Sequence, residues 1–119
     1  MRQDLERMIA SSEDEDLSLA HTPWLEDPSP EDLEALYADY RLRHAVGTQE
    51  IVSVLGVPQK SLEQDADWFE TWYPEAFAAA AWAVSGKWIV LAAEQADKET
   101  PVLLRLQCLT ESSLEDLAS

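Results

Sequence analysis

Residues 82–109 read WAVSGKWIVLAAEQADKETPVLLRLQCL, and this stretch decides the fold. It contains the longest apolar runs of the chain, and its two interruptions have the composition of turns. Ser85–Gly86 separates two apolar runs by two residues, a spacing that is typical of a short β-hairpin. The stretch therefore predicts an antiparallel β-meander. The turn sets the register, whose predicted pairs are Val84–Lys87, Trp82–Ile89 and Ala80–Leu91.

The flanks of this hairpin are strands of different character. Residues 76–84 (AFAAAAWAV) leave a helix open as an alternative, because alanine has the highest helix propensity. In the last strand, Val102, Leu104, Leu106 and Cys108 share one face, which predicts that this face is buried. Cys108 is the only cysteine, so an internal disulfide is excluded and a small buried hydrophobe is expected.

Helix signals lie before the meander. Residues 2–10 carry a short apolar stripe, and a helix of two turns forms only if it docks. Residues 30–46 predict a longer helix, with Ser29 as N-cap and Pro30 in the first turn. A second helix over residues 49–55 follows a Gly–Thr junction, so we expect a bent pair. One apolar stripe of the longer helix is expected to face the sheet and consists of Leu33, Leu36, Tyr37, Tyr40 and His44. His44 is interpreted as a packing residue.

These elements predict an α+β fold: an N-terminal helical pair packed on one face of a three- or four-stranded antiparallel β-meander. Residues 1–28 are interpreted as a short helix plus an acidic arm, residues 29–110 as a single α+β domain, and residues 111–119 as an acidic tail. Residues 67–77 (DWFETWYPEAF) are ambiguous. Their aromatic richness favours a strand, although the spacing of Asp67 and Glu70 also matches a helix capping box.

The charge is unusual for a chain of 119 residues, because 24 acids against 8 bases give a net charge of −16. Ten acids and no base lie between Arg7 and Arg41, and five acids and no base lie between Lys60 and Lys87. Such a balance repels nucleic acid and anionic membrane, so the expected partner is a protein with a basic surface. No apolar run has the length of a signal peptide core or a membrane span, which predicts a cytoplasmic protein.

Signatures of catalysis are missing from the sequence. No serine lies in a G-x-S-x-G setting, and three glycines provide no phosphate-binding loop. The consecutive acids Glu13–Asp16 lack the glycine and the terminal glutamate of a calcium loop. We therefore expect no enzymatic activity, no cofactor and no metal.

Candidate partner-binding residues are the four consecutive acids Glu13–Asp16, the acids near Trp68 and Trp72, and the tryptophans Trp24, Trp68 and Trp72. Tryptophan is enriched at interface hot spots, and an indole beside carboxylates suits arginine and lysine side chains. The alternatives are that the acids form a solubility coat and that Trp68 and Trp72 belong to the core. An N-terminal set comprises Glu13, Asp14, Glu15, Asp16 and Trp24. A central set comprises Glu63, Asp65, Asp67, Trp68, Glu70 and Trp72.

In size, acidity and absence of a catalytic signature, the chain resembles the small bacterial immunity and anti-defence inhibitors. The resemblance assigns no site residue. It implies a small acidic non-enzymatic module that blocks a basic surface of a target protein. The alternatives are a nucleic-acid mimic that acts on a DNA- or RNA-binding protein, and a self-associating scaffold or assembly subunit. In the second alternative, a homodimer would form through an apolar face of the sheet.

Overall fold

The computed structural model describes residues 2–11 and 13–110, which form one five-stranded antiparallel sheet with three helices. The spatial order of the strands is β1-β5-β4-β3-β2. This arrangement confirms the α+β class, with more strands than predicted. The predicted acidic tail lies outside the described residues. The elements are α1 Arg2–Ala10, β1 Glu15–His21, α2 Pro30–Leu55, β2 Lys60–Ser61, α3 Ala66–Trp72, β3 Ala76–Val84, β4 Lys87–Glu94 and β5 Leu103–Thr110.

The β3–β4 hairpin has the predicted register, in which Val84 pairs with Lys87 and Trp82 pairs with Ile89. Ser85 and Gly86 have φ values of 50° and 78°, as a tight turn between right-twisted strands requires. The helix alternative for residues 76–84 is thereby excluded. Its alanines instead form a strand whose small side chains leave room for helices on both faces.

Strand β1 occupies a stretch that was predicted to be an acidic arm. It pairs with β5, from Glu15 opposite Cys108 to His21 opposite Leu103. Leu17 and Leu19 pack against the core, and this alternation with polar residues is the strand signal that the surrounding charge concealed. The arm interpretation is therefore wrong for residues 15–21.

Helix α2 is one continuous helix of 26 residues, and the predicted break between two helices is wrong. Its start is as predicted, because the Ser29 side chain accepts a hydrogen bond from the Asp32 N–H at 3.1 Å. Gly47 does not end the helix but lies buried within it. Glycine costs about 1 kcal/mol in a helix interior, and α2 continues through the buried Gly47 despite this cost. The helix ends at Leu55, before Gly56 at a φ of 84°.

The sheet is covered on both faces. The first face, which carries Trp82, Ile89 and Leu91, packs against α1 and α2. Leu5 and Met8 of α1 are fully buried there, so the short N-terminal helix meets the condition for its formation, which is docking on the core. The second face packs against α3. Its core cluster consists of Phe69, Tyr73, Ala79, Ala81, Val90, Ala92 and Leu109.

Polar contacts fix the helices on the first face. The His44 Nε2 lies 2.8 Å from the Leu91 carbonyl oxygen, so His44 is a packing residue, as predicted. The buried Lys87 ammonium donates to the carbonyls of Met8, at 3.0 Å, and Ser11, at the end of α1. No helix among the described residues combines the length and apolar composition needed to cross a membrane.

Candidate functional site

Helix α3 contains four of the six central candidate residues, Glu63 and Asp65 lie just before it, and the helix replaces the strand predicted there. Phe69 and Tyr73 lie four residues apart, and both are buried on the second face. Trp68 and Trp72 have the same spacing and lie half-buried beside them. Two aromatic pairs at i, i+4 are a helix signal, and Pro74 follows the helix closely. The alternation of aromatic residues indicated a strand. A helix of only two turns is too short to show a clear helical period in the sequence.

The two half-buried indoles form a connected aromatic surface. The ring centres of Trp68 and Trp72 are 6.5 Å apart, and Trp88 of β4 lies 5.2 Å from Trp68. Trp68 and Trp72 contact the core with one side and solvent with the other. They are therefore neither wholly core nor covered by α2, which packs on the opposite face of the sheet.

Carboxylates surround this pair of indoles. Glu63, Asp67 and Glu70 are exposed, whereas Asp65 is half-buried. The Asp65 Oδ2 accepts a hydrogen bond from the Ser61 N–H at 3.1 Å, which joins β2 to the start of α3. An open cavity of about 400 Å³ is lined by Glu63, Asp65, Asp67 and Trp68. We call Glu63, Asp65, Asp67, Trp68, Glu70 and Trp72 the acidic–aromatic surface.

A lysine of the chain itself already lies at the border of this surface. The Lys60 Nζ lies 5.7 Å from the centre of the Trp68 ring and 3.9 Å from an Asp65 carboxylate oxygen. The ammonium is therefore held between an aromatic face and a carboxylate. Sequence analysis did not select Lys60, since its distance from Trp68 along the chain gives no sign of this contact.

The N-terminal set lies elsewhere. Glu13 is exposed, the Asp14 Oδ1 accepts a hydrogen bond from the Thr110 N–H at 2.9 Å, and Glu15 forms an ion pair with Arg7 at 3.3 Å. Strand β1 is at the edge of the sheet opposite to β2. The structure thus separates the two sets, and it engages most of the N-terminal acids in contacts within the chain.

Between the two sets, Arg105 occupies the second face of the sheet. Its guanidinium lies 3.1 Å from Glu94 and 3.5 Å from Asp16. Its Nε is the one buried side-chain nitrogen or oxygen in the described ranges 2–11 and 13–110 that has no hydrogen-bond partner. Burial raises the pKa of the Glu94 carboxyl, and the Arg105 charge only partly opposes this effect. The ion pairs of Arg105 with Asp16 and Glu94 therefore link β5 to β1 and to β4.

Trp24 stands alone among the candidate residues. Its side chain is 72% exposed, and it lines a cavity of about 210 Å³ together with Glu75, Glu94 and Arg105. Its partner-binding role stays a prediction.

The described residues offer no assembly for metal binding. Across residues 2–11 and 13–110, no group of three or more histidine, cysteine or carboxylate side chains is placed to hold an ion. Cys108 is fully buried on β5, as predicted, and burial raises the pKa of its thiol. The acidic–aromatic surface presents carboxylates and indole rings, groups that can contact cationic side chains.

Comparison with protein-family models, with curated proteins and with solved structures found no match to this chain.

Proposed function

We propose that this chain is a small protein-binding module that holds a basic surface of a target protein against its acidic–aromatic surface, in the manner of an immunity-type or anti-defence inhibitor. The observation that carries the proposal is the position of Lys60 between Trp68 and Asp65. This contact is an internal example of the recognition that the surface offers to a lysine or arginine of a partner.

The charge distribution supports the same proposal. Five acids and no base lie between Lys60 and Lys87. Two of them, Asp67 and Glu70, are exposed on α3, and Glu63 is exposed just before this helix. A uniform negative potential attracts a basic protein and accelerates its encounter, while the aromatic contacts slow its release. The carboxylates therefore raise the rate of association with a basic protein. The half-exposed tryptophans beside them provide specific contacts on the same surface.

A nucleic-acid mimic is less well supported. Mimicry needs an ordered array of free carboxylates, since B-DNA carries about one charge per 1.7 Å of axis. In the N-terminal set, Asp14, Glu15 and Asp16 make contacts within the chain. In the central set, the carboxylates are interrupted by indoles and by Lys60. Both features favour recognition of basic side chains on a protein.

The test compares two variants of equal net charge. The site triple reverses exposed acids of the acidic–aromatic surface, and the control triple reverses exposed acids elsewhere. Because each reversal adds two positive units, both change the net charge from −16 to −10. Asp65 is left intact because it holds Ser61. The site triple is E63K, D67K and E70K, and the control triple is E26K, E50K and E99K.

Binding is measured by surface plasmon resonance with a lysine- and arginine-rich peptide, and then with proteins captured from the source cell, at two salt concentrations. We expect wild type and the control triple to bind in a salt-sensitive manner, and the site triple and Trp68→Ala to bind far more weakly. Equal losses in the two triples, or salt-insensitive binding, would mean that the charge is a solubility coat.

A further inference from the structure

The longest helix is apolar on both of its sides. Tyr40, His44 and Ile51 of α2 face the sheet and are buried. On the opposite side, Leu42 is 65% exposed and Val46 is 54% exposed. Large apolar side chains that are exposed together on one surface can mark an interaction site. In the described part of the chain, nothing covers the outer side of α2.

The outer residues form a continuous line along the helix. The first three are spaced by three and four residues, and the last two lie three and four residues after Leu42, which keeps all of them on one face of an α-helix. Alanines flank Leu42 on both sides, so the leucine projects between two shallow positions. This pattern suits a second helix packed against the first, with a large side chain opposite a small one. We call Ala35, Ala38, Leu42, Ala45 and Val46 the outer stripe.

The charges beside the outer stripe indicate what covers it. Glu34 and Arg41 lie seven residues apart on one border, and Asp39 and Arg43 lie on the other, 3.2 Å from each other. On each border the acid is nearer the start of the helix and the base is nearer its end. A second α2 in antiparallel orientation therefore brings the acidic end of each border towards the basic end of the partner's border, with Asp39 and Arg43 of the two copies at nearly the same level. Arg41 stacks 5.4 Å from the Phe77 ring centre, which holds its guanidinium at this border.

The outer stripe is also where two copies repel least. Residues 35–49 contain one acid and two arginines, whereas the whole chain has a net charge of −16. Two copies that approach through any acidic surface experience strong like-charge repulsion. A basic partner is poorly suited to this region, since its local charge is slightly positive. A second copy fits both the apolar character and the charge pattern.

We propose that two copies of this chain associate through the outer stripes of α2, antiparallel, with the two-fold axis close to residue 40. Leu42 of each copy then packs over Ala38 of the other. The association leaves the acidic–aromatic surface free, because α3 and α2 lie on opposite faces of the sheet. The dimer presents two such surfaces, and its formation does not depend on the proposed function.

The mass in solution tests the proposal, with a substitution matched in kind as control. Val46→Glu and Leu42→Glu place a charge on the outer stripe, and Val57→Glu places the same charge on a residue that is 77% exposed outside it. By sedimentation equilibrium, we expect wild type and Val57→Glu to move from 13.4 kDa towards twice that mass as concentration rises. Val46→Glu and Leu42→Glu should remain monomeric, with circular dichroism and melting temperature near those of wild type.

Salt separates this association from target binding. Screening weakens the repulsion between two chains of charge −16, so the dimer should strengthen as salt rises, while binding of a basic peptide should weaken. A wild-type mass of 13.4 kDa at every concentration and high salt would overturn the proposal. Dimerisation of the two stripe variants as strong as that of wild type would also overturn it.

Cross-linking tests the orientation. Ala38→Cys and Leu42→Cys are mixed, one of them isotope-labelled, and oxidised; native Cys108 is fully buried and does not interfere. A disulfide needs Cα atoms within about 7 Å, so the antiparallel pair predicts the mixed 38–42 disulfide as the main product. Efficient formation of the 42–42 disulfide without the mixed product would indicate parallel helices and contradict the proposed geometry.

Discussion

The Trp82 indole Nε1–H donates a hydrogen bond of 2.9 Å to the Gly56 carbonyl, which joins the β3–β4 hairpin to the end of α2. Trp82 is fully buried on the first face, and Gly56 turns the chain away from the helix with a φ of 84°. The contact thereby fixes where the long helix ends relative to the sheet. It connects the two parts of the chain with the strongest structural signals.

Replacement of this tryptophan should destabilise the fold far more than replacement of the exposed one. We expect Trp82→Ala to lower the free energy of unfolding by about 3–5 kcal/mol, since it removes a fully buried aromatic side chain. Trp24→Ala should leave it nearly unchanged, because Trp24 is 72% exposed. Trp88→Ala, at a half-buried position, should fall between them. Urea denaturation followed by circular dichroism measures all three, and equal losses would show that Trp24 belongs to the core.

Replacement of Lys60, which lies on the Trp68 ring, should strengthen binding of a basic partner. Lys60 occupies the face of Trp68 beside Asp65, and Lys60→Gln vacates both groups. A cation over an indole contributes about 0.5–1 kcal/mol at an exposed site, so affinity for a lysine- and arginine-rich peptide should rise about two- to five-fold. Lys98→Gln changes the net charge equally at an exposed loop position. If both variants gain affinity equally, Lys60 does not compete with the partner.

The buried lysine of the hairpin should hold the N-terminal helix in place. Lys87 donates to the carbonyls of Met8 and Ser11, groups that a helix end otherwise leaves without partners. Lys87→Met removes both bonds and leaves the Met8 carbonyl with only the weak contact from the Cys108 Sγ at 3.7 Å, which should cost about 1–3 kcal/mol. Hydrogen exchange should show faster opening of α1 than of β4. Lys98→Met serves as control, and an unchanged exchange rate in α1 would contradict this role.

Protonation of His44 should make stability depend on pH. Burial holds the pKa of the His44 imidazole below its ordinary value, and the hydrogen bond with the Leu91 carbonyl only partly opposes this effect. The unfolded chain therefore binds a proton at a higher pH than the folded chain. The His44 contribution to the free energy of unfolding is complete above about pH 6.5 and is lost as pH falls towards the lowered folded pKa.

His44→Gln isolates this contribution, because its amide can still donate to Leu91 but does not titrate. Urea denaturation of both proteins between about pH 7.5 and about pH 5 should show wild type losing stability relative to the variant. Groups that both proteins share, such as Glu94, cancel in the difference. A difference that does not change with pH would show that His44 does not titrate differently on folding.

The sequence by itself determined the features that depend on neighbouring residues. Ser85–Gly86 set the hairpin turn and hence the register of β3 and β4, because a two-residue loop leaves one pairing. Ser29 and Pro30 marked the start of α2, since capping involves only the next turn. The alternation through Cys108 identified the buried face of β5, because side chains of a strand point to opposite faces in turn.

Only the tertiary structure decided the features that depend on distant partners. Strand β1 forms because it pairs with β5, which lies more than eighty residues away in the sequence, and no local pattern encodes that partner. α2 continues through Gly47 because contact with the sheet offsets the weak helix propensity of glycine. α3 is a helix because Phe69 and Tyr73 are both buried on the second face. The same packing brings Lys60 onto Trp68 and sets the candidate surface apart from the acids of β1, since contact with the shared sheet fixes both positions.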